Sequence, residues 1–260
     1  MPSLKQGLGF EEGGVVSLVG AGGKTSLLFR LGHELSKDGD TVLTTTTTKI
    51  FMPRMEQSAY VVQGLSAASI LSQVKDRLGD HRHVTAVSGP LSSEGKLAGL
   101  EPDVVDQIWK SGIFQWIIVE ADGAAGRPLK APAAHEPVIP GSCTHGIGVV
   151  GLSVLDKPLE DSWVHRSERF SDLTGFPRSQ SISEEAVADL IVHPLGLMKG
   201  VSKESTGFVF LNQADRPEKV TAARRICSIL KERKFKGAKA VLIGRAQGEP
   251  PVMERIDLGI

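Results

Sequence analysis

A doubly wound α/β fold with a mostly parallel sheet is predicted by two observations. Short apolar runs recur along the chain, and several are followed at once by a helical repeat of apolar positions. The runs occupy residues 15–19, 41–43, 116–119, 147–154, 207–211 and 240–243. Their length suits strands covered on both faces. After the first run, Leu27, Leu28, Leu31 and Leu35 share one side of a helix; after the fifth, Val220, Ala223, Cys227 and Leu230 do so. Pro102 suits a helix start, Val104, Val105 and Ile108 give that helix an apolar side, and Ser111-Gly112 closes it. Ser181 and Glu184 have capping-box spacing before Ala186, Val187, Leu190 and Ile191, and Pro194 ends the segment. Strand then helix, repeated, predicts right-handed crossovers between parallel strands. No repeat or linker divides residues 1–260, so a single domain is expected, with functional loops in the breaker-rich stretches 89–99 and 123–146.

Composition narrows the function. Hydrophobic residues make up 40% and charged residues 23%, with 29 glycines and 14 prolines, which excludes disordered, collagenous and membrane-embedded classes. Thirty basic side chains balance thirty acidic ones, leaving no cationic excess for a nucleic-acid backbone. Cys143 and Cys227, far apart in sequence, supply neither a disulfide framework nor a Cys-rich zinc site. With no signal-peptide-like apolar run in the first twelve residues and no apolar stretch near about 18 residues, a cytoplasmic protein without a membrane partner is expected.

The first run leads directly into Gly20, Ala21, Gly22, Gly23, Lys24, Thr25 and Ser26 and then a helix, the order of a phosphate-binding loop. Glycines let backbone N–H groups close around phosphate oxygens. Lys24 would span the β- and γ-phosphates, Thr25 would ligate magnesium, and the helix N-terminus adds positive partial charge. The full pattern has glycine where Leu18 stands, so the turn is expected at Gly20 and Gly22. The fold is therefore expected to be of the P-loop NTPase type.

Residues 116–119 deliver Glu120 at a strand end, with Gly123 at the spacing of a nucleotide-switch motif. Glu120 would hold magnesium, Asp122 would share that role or orient the attacking water, and the Gly123 N–H would touch the γ-phosphate. Residues 207–211 end in Asn212, Gln213, Ala214 and Asp215, similar to the Asn-Lys-x-Asp guanine-specificity motif with glutamine in place of lysine. Asp215 offers two acceptors to the guanine N1–H and N2–H₂ donors, which favours guanine over adenine. Asn212 would brace the phosphate loop, and the aliphatic part of Gln213 would cover the base.

Other residues stand nearby in sequence. Thr44, Thr45, Thr46, Thr47 and Thr48 precede Lys49 at the second strand's end, either facing a ligand or simply favouring the strand. Arg127 and Lys130 form a positive pair that would stabilise developing charge or grip an anion, with a solvated loop as the alternative; His135 would be a metal or selenium-site ligand or else a structural or exposed histidine, and Glu136, His165 and Arg166 stand in the same region.

Taken in order, these three motifs resemble the metallochaperone branch of P-loop GTPases that serve nickel and cobalamin enzymes. The strings VGAGGKTSLL, TTTTTKIF, VEADGAAGRPLKAPAAHEPVIP and LMKGVSKESTGFVFLNQADRPE are similar to the YqeC family, described as selenium-dependent molybdenum hydroxylase accessory or selenium cofactor biosynthesis proteins. The resemblance spans nearly the whole chain. It implies a cytoplasmic nucleotide-dependent factor that assists delivery of selenium to a molybdenum hydroxylase or its cofactor machinery, and the GTPase branch often pairs two subunits across the nucleotide.

The expected activity is binding of GTP, or else ATP, with magnesium, followed by slow hydrolysis. Lys24, Glu120, Asp122 and Arg127 would carry the chemistry. A kinase or nucleotidyltransferase acting on a small molecule is the alternative enzyme class, with the threonines, Arg127 and Lys130 holding the acceptor. A non-hydrolysing adaptor ordered by nucleotide is the third reading.

Overall fold

The structure is a computed structural model and describes residues 3–259 except 76, 80 and 91–94. Its first half contains α1 (Leu4–Leu8), β1 (Gly14–Gly20), α2 (Lys24–Lys37), β2 (Val42–Thr46), β3 (Lys49–Phe51), β4 (Val61–Gln63), α3 (Ala67–Lys75), β5 (His83–Val87), β6 (Lys96–Ala98), α4 (Pro102–Lys110) and β7 (Trp116–Glu120). The second half adds β8 (Leu129–Lys130), β9 (His145–Gly151), β10 (Val164–His165), α5 (Ser167–Thr174), α6 (Glu184–Val192), β11 (Thr206–Asn212), α7 (Pro217–Glu232), β12 (Ala240–Gly244) and β13 (Val252–Asp257).

Nine strands form one sheet in the order β13-β12-β11-β9-β1-β7-β2-β5-β4. Every neighbouring pair is parallel except β12 and β13, which run antiparallel. The fold is thus α/β and mostly parallel, as the periodicity predicts. Alternation along β1 explains the helices on both faces: Val16 and Leu18 pack with Leu27, Leu28, Leu31 and Leu35 of α2, whereas Val15 points to the cluster built with Ile70, Val105 and Ile108 of α3 and α4. A third cluster joins Val209, Leu211 and Val241 to Val187, Leu190 and Ile191 of α6 and Ala223, Cys227 and Leu230 of α7.

Chain order reverses its direction of growth at β1, which lies between β7 and β9. Parallel pairing brings the C-terminal ends of β1, β7, β9, β11 and β12 to one edge, where α/β sheets place their ligands. Register sharpens this. Leu18 lies opposite Glu120, so β1 runs two residues farther and lifts Gly20 above the edge.

Several sequence expectations change in detail. The cap of α6 is Ser183, whose hydroxyl accepts from the Ala186 N–H, so Ser181 is not the capping residue; it sits in a bridge to Pro158. The run expected to end at residue 154 ends as a strand at Gly151, and Leu152–Val154 turns as a 3-10 helix. β4 and β5 escaped the apolar count because β4 has three residues and β5 carries His83 and Thr85. Charged Glu254, Arg255 and Asp257 hide β13, and they suit an edge strand. Within the stretch 89–99, residues 91–94 lie outside the described residues, and Lys96–Ala98 pairs antiparallel with Lys49–Phe51.

Candidate functional site

The phosphate loop takes a conformation that its glycines permit. Gly20, Gly22 and Gly23 have φ of 92°, 82° and 120°. At Gly22 a Cβ would stand 2.2 Å from the Gly151 nitrogen and 2.6 Å from the Pro128 oxygen, so only glycine fits. Leu18, at the position where the common pattern has glycine, is an ordinary buried residue of β1. The loop opens α2 without any side-chain cap and without an acidic residue in the first turn. The first-turn N–H groups of α2 have no intrahelical acceptor, which leaves a positive helix end facing the cleft above them.

Lys24 is buried and folded back. Its ammonium donates to the Gly20 oxygen at 2.6 Å and lies 3.2 Å from Asp122 Oδ1 and 3.7 Å from Glu120 Oε1. Thr25 donates its hydroxyl to Glu120 Oε2 at 2.7 Å. Burial pushes the Glu120 carboxyl above the ordinary carboxylate range; Lys24 and the Thr25 hydroxyl pull it down, and Asp122 adds to the rise. Thr25 and Glu120 both line the cleft. They form a pair of hard oxygen donors of the kind magnesium accepts when phosphate and water complete its shell.

Asp122 occupies a different position, behind Lys24 and almost without exposure. Oδ2 accepts from the Gly20 N–H at 3.1 Å and lies 3.0 Å from the Lys130 ammonium. Lys130 is fully buried, reaches Glu136 Oε2 at 2.9 Å and donates to the Gly123 oxygen. Arg166 completes the chain of alternating charge at 2.7 Å from the same Glu136 oxygen. Burial acts to raise the Glu136 carboxyl, but Lys130, the Ala133 N–H and Arg166 outweigh it and hold it at about 2. Lys130 is not among the residues that line the cleft, where its sequence position suggested it, and serves as the counter-ion that lets two carboxylates be buried.

Arg127 lines the cleft, its Nε donating to the Asp161 oxygen at 2.7 Å while its own carbonyl accepts the Gly22 N–H. His135 is exposed, and burial lowers the His165 imidazole. The threonine hydroxyls serve the fold. Thr44 bonds Thr85 at 2.8 Å, Thr45 the Ala86 oxygen at 2.8 Å, Thr46 the Glu120 oxygen at 2.8 Å and Thr47 the Val138 oxygen at 2.6 Å.

Asn212 braces the loop. Its Nδ2 donates to the Gly22 oxygen at 2.7 Å, and its Oδ1 accepts the Ala246 N–H at 2.9 Å. Gln213 stands at φ 66° with Oε1 facing the Ser153 N–H at 3.4 Å. Asp215 is exposed on the rim of a recess of about 410 Å³ that Arg245 and Gln247 also line. Gln247 donates to the Ser26 hydroxyl at 3.0 Å. The cleft over the phosphate loop measures about 810 Å³ and shares Gly23, Ser26, Ser153 and Gln213 with this recess.

Lys49, which the sequence placed after the threonine tract, lines the cleft; sequence reasoning missed Phe51 and Lys96, which line it with Lys49 on the two-stranded β3–β6 sheet, and Trp163. It also missed residues 245–247. The last had a legible signal, a polar loop at the C-terminal end of a buried strand.

The family model described as YqeC protein matches residues 16–168. A YqeC protein of Escherichia coli (strain K12) is 32% identical over 244 residues, which is 93% of this chain and 91% of that protein. The chain belongs to the YqeC family. The YqeC match contains the phosphate loop, Glu120, Asp122 and the buried series through Arg166, and it ends before Asn212. Among solved structures, this YqeC chain is similar to the MinD cell division protein of Aquifex aeolicus, with a TM-score of 0.39, 16% identity and coverage of 88% of this chain and 81% of that one. The signal recognition particle receptor FtsY of Elizabethkingia anophelis gives a TM-score of 0.32 and 13% identity, covering 90% of this chain and 50% of that one. Among the described residues no helix is long and apolar enough to cross a membrane.

Proposed function

We propose that residues 1–260 act as one nucleotide-binding domain that takes a nucleoside triphosphate with magnesium, GTP in preference to ATP, and hydrolyses it slowly. The observation that carries this reading is the continuity of the cleft above the phosphate loop with the recess at Asp215, through Gly23, Ser26, Ser153 and Gln213. A triphosphate fits the first and a base the second.

In this reading the N-terminus of α2 receives the phosphates, with Gly20, Ala21, Gly22, Gly23 and Ser26 shaping the loop. Lys24 exchanges the Gly20 oxygen and Asp122 for phosphate oxygens, and Asp122 keeps its bond to the Gly20 N–H while that happens. Thr25 and Glu120 hold the magnesium, with Asp122 as an outer partner behind Lys24. The ion would neutralise charge that develops on the phosphates. The Gly123 N–H meets the terminal phosphate, and Arg127 lines the same cleft. Asp215 accepts from guanine N1–H and N2–H₂, the stem of Gln213 covers the ring, and Asn212 keeps base loop and phosphate loop in one geometry.

The resemblance to selenium-dependent molybdenum hydroxylase accessory proteins supports a cytoplasmic role in delivering selenium to such an enzyme or its cofactor machinery. Calorimetry with GTP, ATP and CTP in magnesium tests the nucleotide reading. GTP is expected to bind most tightly. Absence of heat with all three overturns the nucleotide site, and tighter ATP binding overturns the role of Asp215.

A further inference from the structure

The cleft extends beyond what a triphosphate needs, and it does so in a definite direction. The base recess lies at the ends of β11 and β12, on one side of β1, while Glu120 ends β7 on the other side and β2 lies beyond β7. A nucleotide seated with its base at Asp215 therefore points its terminal phosphate toward β7 and β2. Past that point stands the two-stranded β3–β6 sheet, whose β3 follows the end of β2 and which contributes Lys49, Phe51 and Lys96 to the cleft wall.

This small sheet is held in place. Ile50 is buried, the Gly99 N–H donates to the Thr48 oxygen at 2.7 Å, and the Leu100 N–H donates to the Thr46 oxygen at 2.8 Å. The threonine tract thus supports a wall instead of touching a ligand. The wall is cationic and aromatic at once: the Lys96 ammonium sits 5.1 Å from the centre of the Phe51 ring, which is 62% exposed. Arg127 lines the same cleft, and Glu120 is the one carboxylate among the described lining residues. Lys24, the helix end and magnesium already answer the charge of a triphosphate. Lys49 and Arg127 add positive charge beyond it.

We propose that this end of the cleft binds a second ligand, a small anion carrying a phosphate or carboxylate on a flat apolar body, next to the terminal phosphate of the nucleotide. Lys49, Lys96 and Arg127 bind its charge, and Phe51 packs on its apolar part. The assignment rests on the nucleotide reading above.

Phenyl phosphate serves as the probe, titrated by calorimetry into protein saturated with magnesium and a non-hydrolysable GTP analogue, so that the phosphate loop is filled. Saturable binding is expected. A Lys49→Ala/Lys96→Ala double variant is expected to weaken the probe by about tenfold or more while nucleotide affinity stays within about twofold. Phe51→Ala is expected to weaken phenyl phosphate and leave inorganic phosphate, a weaker ligand from the start, unchanged. Failure of the analogue to bind removes the nucleotide reading. With the analogue bound, absence of probe binding overturns the second site alone. So does a double variant that binds the probe as before, or one that loses nucleotide affinity in proportion, because the lysines would then serve the triphosphate. Equal affinity for inorganic and phenyl phosphate overturns the role of Phe51.

Discussion

The hydroxyl of Thr25 donates to Glu120 Oε2 across 2.7 Å, tying the first turn of α2 to the last residue of β7. Two oxygen donors are thereby preset at the cleft edge before any cation arrives. Glu120→Gln and Thr25→Val are each expected to cut the enhancement of nucleotide affinity by magnesium by about tenfold or more, since about 1.4 kcal/mol corresponds to each factor of ten. Titrations in magnesium and in chelator check this. The same magnesium enhancement in both variants as in wild type would remove the pair from the metal site.

Glu136 makes the fold sensitive to acid. Its carboxyl is held at about 2 in the folded chain, below the ordinary value of 4.5. A depressed folded value means that the stabilisation is present above the ordinary value and is lost as pH falls from there toward 2. Discounted for solvent screening, the shift corresponds to about 1–2 kcal/mol at neutral pH. Glu136→Gln should therefore destabilise the chain near pH 7 and flatten its stability between pH 4.5 and 2 in urea unfolding. Lys130→Met, which leaves Asp122 and Glu136 without their shared counter-ion, should cost about 3–5 kcal/mol. Wild-type stability for Lys130→Met would contradict the importance given to that ion pair.

Asn212 joins two loops through a single side chain. Replacing it with alanine deprives the Gly22 oxygen of a donor and the buried Ala246 N–H of an acceptor, which should cost about 1–3 kcal/mol for each group left unsatisfied. Nucleotide affinity should fall as well, because phosphate loop and base recess lose their connection. Thermal unfolding and calorimetry on Asn212→Ala measure the two effects, and unaltered affinity would separate the brace from binding.

Asp215 stands at the recess with its carboxylate exposed. Asp215→Asn should exchange guanine for xanthine, whose C2 carbonyl accepts from the new amide, and shift the preference between GTP and XTP by tenfold or more, on the order of 1.4 kcal/mol. Competition between the two nucleotides measures the shift. A variant that still prefers GTP would show that Asp215 does not read the base.

Local periodicity made much of this molecule legible. Leu27, Leu28, Leu31 and Leu35 announce α2 because helical neighbours recur every three or four positions, and residues 15–19 announce β1 because a doubly covered strand is continuously apolar. The loop between them was readable for the same reason, since its glycines, Lys24 and Thr25 are adjacent in the chain. The hidden strands carry no such local mark: β5 mixes His83 and Thr85 into its run, and the hydroxyl of Thr85 is satisfied only by Thr44, on a neighbouring strand.

Tertiary packing alone decided the rest. The bond from Asn212 to Gly22 closes 190 residues of chain, and the Lys130 ammonium is shared between Asp122 and Glu136 because the loop after β8 returns to the end of β7, where the Val138 N–H donates to the Ala121 oxygen. Phe51 and Lys96 pair across a two-stranded sheet whose strands are separated by β4, α3 and β5. The sequence by itself determined the long apolar strands β1, β2, β7, β9, β11 and β12, the helices α2, α4, α6 and α7, and the glycine-rich loop between β1 and α2, because those depend on neighbours within a turn or two. Which cations face the cleft and which are buried as counter-ions followed only from the long-range pairing of strands, because a side chain's partner there is set by packing geometry and desolvation and not by its position along the chain.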